Sequence, residues 1–157
     1  MSNLIDILDD LEDAINVIDG TGNYSYDLTK HLHFAMDTPD IESQNFNEVN
    51  PKVIVKTDEI NIDNWSTEDF SSVAKVVIAA YIKQDSSWDG TKIERVKVLN
   101  LQRDVQSAVY QFFNRQRTVA GAESFDLEGS INFSIGKSGV CAHILCEFYI
   151  RYEETES

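Results

Sequence analysis

The stretch GVCAHILCEFYIRYEE holds both cysteines of the chain and one of its three histidines. Thiolates and imidazoles are the ligands that zinc prefers, so Cys141-x-His143-x-x-Cys146 suggests a metal or redox site. A closed zinc site needs two more ligands than Cys141 and His143, and His31 and His33 lie far away in the sequence. The spacing also fits no CxxC or HxxxH pattern.

The period of these residues predicts a β-strand instead. From Val140 to Tyr152 every second residue is apolar almost without a break, and the residues between them are mixed. In such a strand Cys146 points into the core, while Cys141 and His143 point to the opposite face. The two sulfurs can then share neither a metal ion nor a local disulfide. We expect one core cysteine and one ordinary cysteine.

The sequence contains no other reactive motif. It has no P-loop, GxGxxG, GxSxG or HExxH pattern. The GKS at 136–138 lacks the earlier glycine of a P-loop, since Ile131 stands at that position. We therefore expect a protein that is not an enzyme and that uses no cofactor and no metal ion.

Length and charge limit the class of protein. The 157 residues carry a formal net charge of −14, and 42% of them are hydrophobic, which is typical of one soluble globular domain. Residues 1–70 hold 16 acidic side chains against 3 lysines, whereas residues 71–157 hold 11 against 10 basic ones. Such an acidic surface repels phosphate backbones, so we do not expect the protein to bind nucleic acid. The absence of a long apolar run and of a basic N-terminus predicts no membrane span and no signal peptide.

The first half is predicted to begin with an amphipathic helix over 3–19, which Gly20 and Gly22 end. Its apolar stripe comprises Leu4, Ile5, Leu8, Leu11, Ile15 and Ile18. Its opposite face carries Asp6, Asp9, Asp10 and Asp13. These carboxylates lack the D-x-D-x-D-G pattern of a calcium loop, so they predict a solvated face. Residues 30–50 predict a long loop or insertion with one short strand around 31–35.

The rest of the chain alternates between strand and helix patterns. Strands are expected at 52–60 and 71–83, the latter apolar on both faces, with a turn at 63–70 between them. A helix over 92–116 has an apolar stripe with Asp104 outside it. That stripe comprises Val98, Leu101, Val105, Ala108 and Phe112. Closing strands at 131–135 and 140–152 flank a turn at 136–139, and residues 153–157 are expected to fray.

This order of elements predicts one α+β domain over residues 1–157, with a mostly antiparallel sheet packed with two main helices. The order also resembles the tail terminator or tail-completion proteins of tailed bacteriophages, which are also called minor tail or neck proteins. The likeness is carried by GNYSYDL, by the Pro-led strand NPKVIVKT, by VVIAAYIK, by the helix LNLQRDVQSAVYQ and by the last strand ending FYIRYEE. It spans roughly residues 3–153, and the segment 30–50 is bulkier than a minimal family member.

The resemblance implies a structural virion protein that assembles in the host cytoplasm. Such proteins form a homo-oligomeric ring, usually a hexamer, on the head-proximal end of the tail tube. The ring stops tube polymerisation and presents the surface on which the head–tail connector docks, and DNA passes through without specific binding. Two alternatives stay open: another head–tail connector or tail tube subunit, or a cellular acidic α+β binding module.

The uneven charge distribution suggests a subunit contact in such a ring. The acidic first helix and the basic second half can pair across a subunit boundary. The candidate interface residues are Asp6, Asp9, Asp10 and Asp13 on one side and Lys92, Arg95, Lys97, Arg103, Arg115 and Arg117 on the other.

Overall fold

The computed structural model describes residues 3–29, 32–34, 51–65, 69–83, 92–118, 125–138 and 141–155. These ranges contain two helices and five strands. In chain order they are α1 (Asn3–Asn16), β1 (Leu32–Phe34), β2 (Lys52–Trp65), β3 (Asp69–Lys83), α2 (Lys92–Thr118), β4 (Asp126–Ser138) and β5 (Cys141–Thr155). The predicted α+β class with two main helices is confirmed.

The strands form one sheet in the order β1-β2-β3-β5-β4. β2, β3, β5 and β4 pair antiparallel, as predicted, and the short β1 pairs parallel with the start of β2. β3 lies at the centre and pairs with β5 along its whole length, from Asp69 opposite Thr155 to Lys83 opposite Cys141. β4 ends the sheet on one side, so its outer edge has no partner strand in the described part of the chain.

Both helices pack against one side of this sheet, which we call the helix side. The β3 residues that face it are Ala74, Val76, Ile78, Ala80 and Ile82, and all are at most 1% exposed. The predicted stripe of α2 is confirmed, because all five of its members are buried in the same core cluster. On the second side of the sheet a smaller cluster joins Ile54, Ala79, Tyr81 and Cys141, with Leu145 packed against it.

The first helix is shorter than predicted and is rotated slightly about its axis. It ends at Asn16 rather than at residue 19, and Asp19 instead forms a β-bridge with Asp27. Ile5 was expected in the apolar stripe but is 59% exposed, while Ile7 is fully buried. Steps of three and four from Leu4 reach Ile7 and not Ile5, which lies about 100° around the helix.

The strands are longer than predicted. The expected turn at 63–70 is partly strand, since β2 continues to Trp65 and β3 starts at Asp69. Residues 136–138, expected in a turn, belong to β4, and residues 153–155, expected to fray, pair with the start of β3. Each of these segments lies opposite a neighbouring strand that supplies hydrogen-bond partners, which a local reading of the sequence misses. Of the loop predicted at 30–50, only β1 lies within the described residues. Residues 156–157 also lie outside them.

Candidate functional site

β5 places the two cysteines on opposite sides of the sheet, as the strand period predicts. Cys146 belongs to the helix-side core and Cys141 to the second-side cluster, and both are fully buried. Burial raises the pKa of the Cys146 thiol to about 12, with a further contribution from the Glu147 carboxylate. A thiol with this pKa stays protonated at neutral pH, so it is a poor nucleophile and a poor metal ligand.

His143 is packed rather than poised for chemistry. Its ring lies 5.5 Å from that of Tyr81, centroid to centroid, and burial lowers its pKa. Opposite it in β4, a Cβ added to Gly136 would lie 2.9 Å from the Nε2 atom of His143. Among the described residues its Nδ1 atom has no hydrogen-bond partner. The neutral imidazole therefore fills the space above a glycine, between two strands.

The described ranges contain no group of three or more His, Cys, Asp or Glu side chains placed to hold a metal ion. Nor does any helix in that part of the chain combine the length and apolar character needed to cross a bilayer. The described ranges do bury one acidic side chain: Asp104 on α2 is only 1% exposed.

Asp104 holds the connector between α1 and β1, residues 17–29, against α2. Its Oδ2 atom accepts hydrogen bonds from the backbone N–H groups of Ser25 at 2.9 Å and Tyr26 at 2.8 Å. Burial raises the pKa of the Asp104 carboxyl, and these two hydrogen bonds act in the opposite direction. The position of Asp104 outside the apolar stripe of α2 does not make it solvent-exposed, because the connector covers it.

Two further bonds hold the same connector along α2. The Tyr26 hydroxyl donates to the Lys97 carbonyl oxygen at 3.0 Å, and the Gln111 amide donates to the Tyr24 hydroxyl at 2.8 Å. Positions 97, 104 and 111 are seven residues apart, so they lie on one line of the helix surface. The segment GNYSYDL thus serves to bind the connector to α2.

Among the described residues, one pair of the charged residues that were predicted at a subunit contact lies close together. Arg115 Nε lies 3.6 Å from Asp10 Oδ1 within the same chain, so this complementarity is satisfied internally. The exposed members of the set are Arg95, Arg103, Asp9 and Asp13, and the half-buried ones are Lys97 and Asp6. The side chains of Lys92 and Arg117, at the two ends of α2, lie outside the described part of the structure.

A feature that the sequence did not predict is an apolar groove between the outer face of α2 and β4. Its volume is about 480 Å³. The lining residues are Gln106, Val109, Tyr110, Phe113, Phe125, Asp126, Leu127, Ile131 and Phe133. β4 is an edge strand, and part of its helix-side row stays accessible, since Leu127 is 38% exposed.

The floor of the groove is a packed aromatic cluster. Phe112 stacks on Phe125 with ring centroids 4.5 Å apart, and Phe113 meets Phe148 edge-on at 5.3 Å. The rim is exposed and apolar: Tyr110 on α2 is 69% exposed. Such a floor holds its shape, whereas the rim offers apolar area that contact with another molecule would remove from water.

The N-terminal part of β4 contains a β-bulge. Pairing with β5 shifts register between Glu128 and Asn132, where Gly129 has a φ of 79°. Arg151 anchors this end with two hydrogen bonds to the Glu128 carboxylate, at 3.0 and 3.2 Å. Past the bulge, β4 pairs regularly from Asn132 to Ser138 and presents a straight outer edge.

The chain matches no known family model, and a search of curated proteins finds no significant match.

Proposed function

We propose that this chain is a structural virion protein, a subunit of a homo-oligomeric ring at the head-proximal end of a bacteriophage tail tube. Six copies are expected in the ring, by the resemblance described above. The ring ends polymerisation of the tail tube protein, offers the docking surface for the head–tail connector protein, and lets DNA pass. Its place is the tail or neck of the virion, after assembly in the host cytoplasm.

The observation that carries the assembly part of the proposal is the apolar groove beside the free edge of β4. A free sheet edge is a template for strand pairing, and exposed apolar patches usually mark interaction sites. Natural chains protect such edges, so an edge with an apolar groove next to it favours a surface that a partner covers. A tail-tube ring supplies such partners on every subunit.

The chemistry of the described side chains suits a structural role. The acidic composition supports passage of DNA without binding, because phosphate backbones gain no counterion release from an acidic surface. The buried, high-pKa thiol of Cys146 and the packed imidazole of His143 are poor candidates for catalysis. We assign the protein no catalytic residue, cofactor or metal ion.

Native mass spectrometry and negative-stain electron microscopy of the purified chain test this proposal. We expect closed rings of six copies with a central opening, once concentration or salt allows assembly. Open-ended tubes would point to a tube subunit, and a monomer under all conditions would contradict a ring protein. Elemental analysis is a separate check, since about one tightly held zinc ion per chain would contradict the metal-free assignment.

A further inference from the structure

The ring of His143 lies on the second side of the sheet, between the edge strand β4 and the central strand β3. In the strand registers His143 is opposite Gly136 on one side and opposite Tyr81 on the other. The Tyr81 ring is 5.5 Å away, centroid to centroid. A Cβ at Gly136 would lie 2.9 Å from the Nε2 atom and 3.0 Å from the Cε1 atom of His143. The imidazole therefore occupies a place that only a glycine in β4 leaves open.

This place suits a neutral imidazole and not a protonated one. A neutral ring carries one N–H group and one bare nitrogen, whereas a protonated ring carries an N–H group at both nitrogens. The Nδ1 atom of His143 is buried and has no hydrogen-bond partner. Protonation of the ring in this place would leave a buried, charged N–H donor without an acceptor, which costs more than the bare nitrogen of the neutral ring.

The groups that face the ring do not offset a positive charge. In the described registers the titratable ones are a phenol, a thiol and two ammonium groups: Tyr81 and Lys83 on β3, Cys141 on β5 and Lys52 on β2. The facing part of β4 contributes a glycine and two serines: Ser134, Gly136 and Ser138. The first carboxylate along β5 on this face is that of Glu147, four residues from His143, and it lies 3.9 Å from the Lys75 ammonium. Among the described residues, no acidic side chain is therefore placed to pair with a protonated ring.

Of the two strands that hold the ring, β4 is the one that can move away. β3 is hydrogen-bonded to β2 on one side and to β5 on the other, whereas β4 has β5 as its one partner in the described part of the sheet. Separation of residues 136–138 from β5 breaks only the bonds between these two strands, at the C-terminal end of β4. Such edge segments open at a lower free energy than the centre of a sheet.

We propose that His143 makes the C-terminal end of β4 an acid-sensitive part of the sheet: a protonated ring leaves its place over Gly136, and residues 136–138 separate from β5. The proton comes from the solvent and binds Nδ1, and no other covalent bond changes. The device goes beyond the proposed function, because it concerns when β4 is ordered and not what β4 contacts. Phe133 lines the apolar groove and lies in the same regular stretch of β4, so the opening reaches the strand that borders the groove.

The direction of the titration agrees with this device. Burial lowers the pKa of His143 below the 6.5 of a free imidazole, so the closed strand end favours the neutral ring. In the open strand end the ring regains contact with water and its ordinary pKa. The open form therefore gains population as pH falls below 6.5 through the pKa of the closed form. The gain is at most tenfold for each pH unit, because one proton is bound.

Amide hydrogen exchange measured by NMR between pH 7.5 and pH 5.5 tests the device. Division by the intrinsic exchange rate at each pH gives protection factors that can be compared. The amides to follow are those of residues 136–138 and 141–143 that bond across β4 and β5, and the reference amides are those of Val55 and Ile78 in the paired centre of β2 and β3. We expect protection at the β4 end to fall below pH 6.5 while the reference amides keep theirs.

Two variants separate the proton from the fit of the ring. His143→Phe keeps a ring beside Tyr81 but cannot titrate, so protection at the β4 end should not change with pH. Gly136→Ala displaces the ring without a proton, so the same amides should lose protection already at pH 7.5, and a second change, His143→Ala, should restore it. Ser134→Ala is the matched control on the same face of β4 and should behave like the wild type. Circular dichroism verifies that each variant folds.

Three results would overturn the device. One is protection at the β4 end that stays constant in the wild type, or falls equally in His143→Phe. Another is full protection in Gly136→Ala at pH 7.5, which would show that the ring can leave without release of the strand. The third is an equal fall at Val55 and Ile78, which would show unfolding of the whole sheet rather than local opening.

Discussion

At the residue scale, Asp104 is the clearest example of a polar group whose role depends on tertiary structure. Replacement by alanine leaves the backbone N–H groups of Ser25 and Tyr26 without their acceptor. We expect the free energy of unfolding to fall by about 1–3 kcal/mol, the usual cost of an unsatisfied buried donor. Asp104→Asn keeps an acceptor oxygen and should lose less. Urea unfolding of both variants measures this, and a negligible loss for Asp104→Ala would show that the two bonds contribute little.

His143 makes stability depend on pH. Burial lowers its pKa below the 6.5 of a free imidazole, so the unfolded chain binds this proton more readily than the folded chain. The contribution is therefore complete above pH 6.5 and is lost as pH falls from there through the folded pKa. We expect His143→Phe, which retains a ring beside Tyr81, to lose less stability than the wild type between pH 7 and pH 5. Parallel urea melts at each pH compare them, and identical slopes would contradict the prediction.

At the element scale, the central strand and α2 contribute fully buried side chains to one core. Ile78 and Val105 are each 1% exposed, as their positions in the two apolar patterns predict. Truncation of either to alanine should lower the free energy of unfolding by roughly 1–5 kcal/mol, depending on the cavity that remains. Val96→Ala on the exposed face of α2 is the matched control and should change it by less than about 0.5 kcal/mol. A neutral Ile78→Ala in denaturant melts would be incompatible with this packing.

Hydrophobic periodicity predicted the helices and strands correctly where one face of the element is buried. The stripe of α2 and the alternation of β5 from Ala142 to Tyr152 are confirmed, because the 3.6 and 2.0 periods directly encode which face meets the core. Element ends were wrong wherever a distant strand supplies the partner, as for Glu153 opposite Ser71. Local sequence carries no information about such pairing, so the longer strands could not be read from it.

The groove and the Asp104 contact escaped sequence analysis for different reasons. Nothing local to Asp104 shows that two backbone N–H groups from residues 25 and 26 will reach it. The groove left little signal, because Tyr110 is an exposed aromatic residue on a face of α2 that also carries Arg103 and Gln106. The order of strands was needed to place β4 beside it.

At the scale of the whole molecule, the net charge of −14 opposes the ring assembly proposed above. Six copies with a net charge of −14 each would together carry a formal charge of −84. One internal pair, Arg115 with Asp10, offsets part of the acidic helix, but Asp9 and Asp13 stay exposed on α1. Contacts between subunits must therefore act against repulsion that extends over a Debye length, about 8 Å at physiological salt.

This balance predicts that ionic strength controls ring formation. The Debye length is roughly 20 Å at about 20 mM salt and only about 3 Å at 1 M salt, so high salt screens the repulsion between subunits. The free energy gained by burying apolar surface remains at high salt. We expect the isolated chain to be monomeric or weakly associated at low salt and to form the ring at high salt, as it also does on the end of a tail tube. Sedimentation velocity across this range measures the change. A stable hexamer at every salt concentration, in dilute solution and without partners, would mean that apolar contacts alone govern assembly. In that case charge repulsion could not prevent the chain from closing rings away from a tail tube.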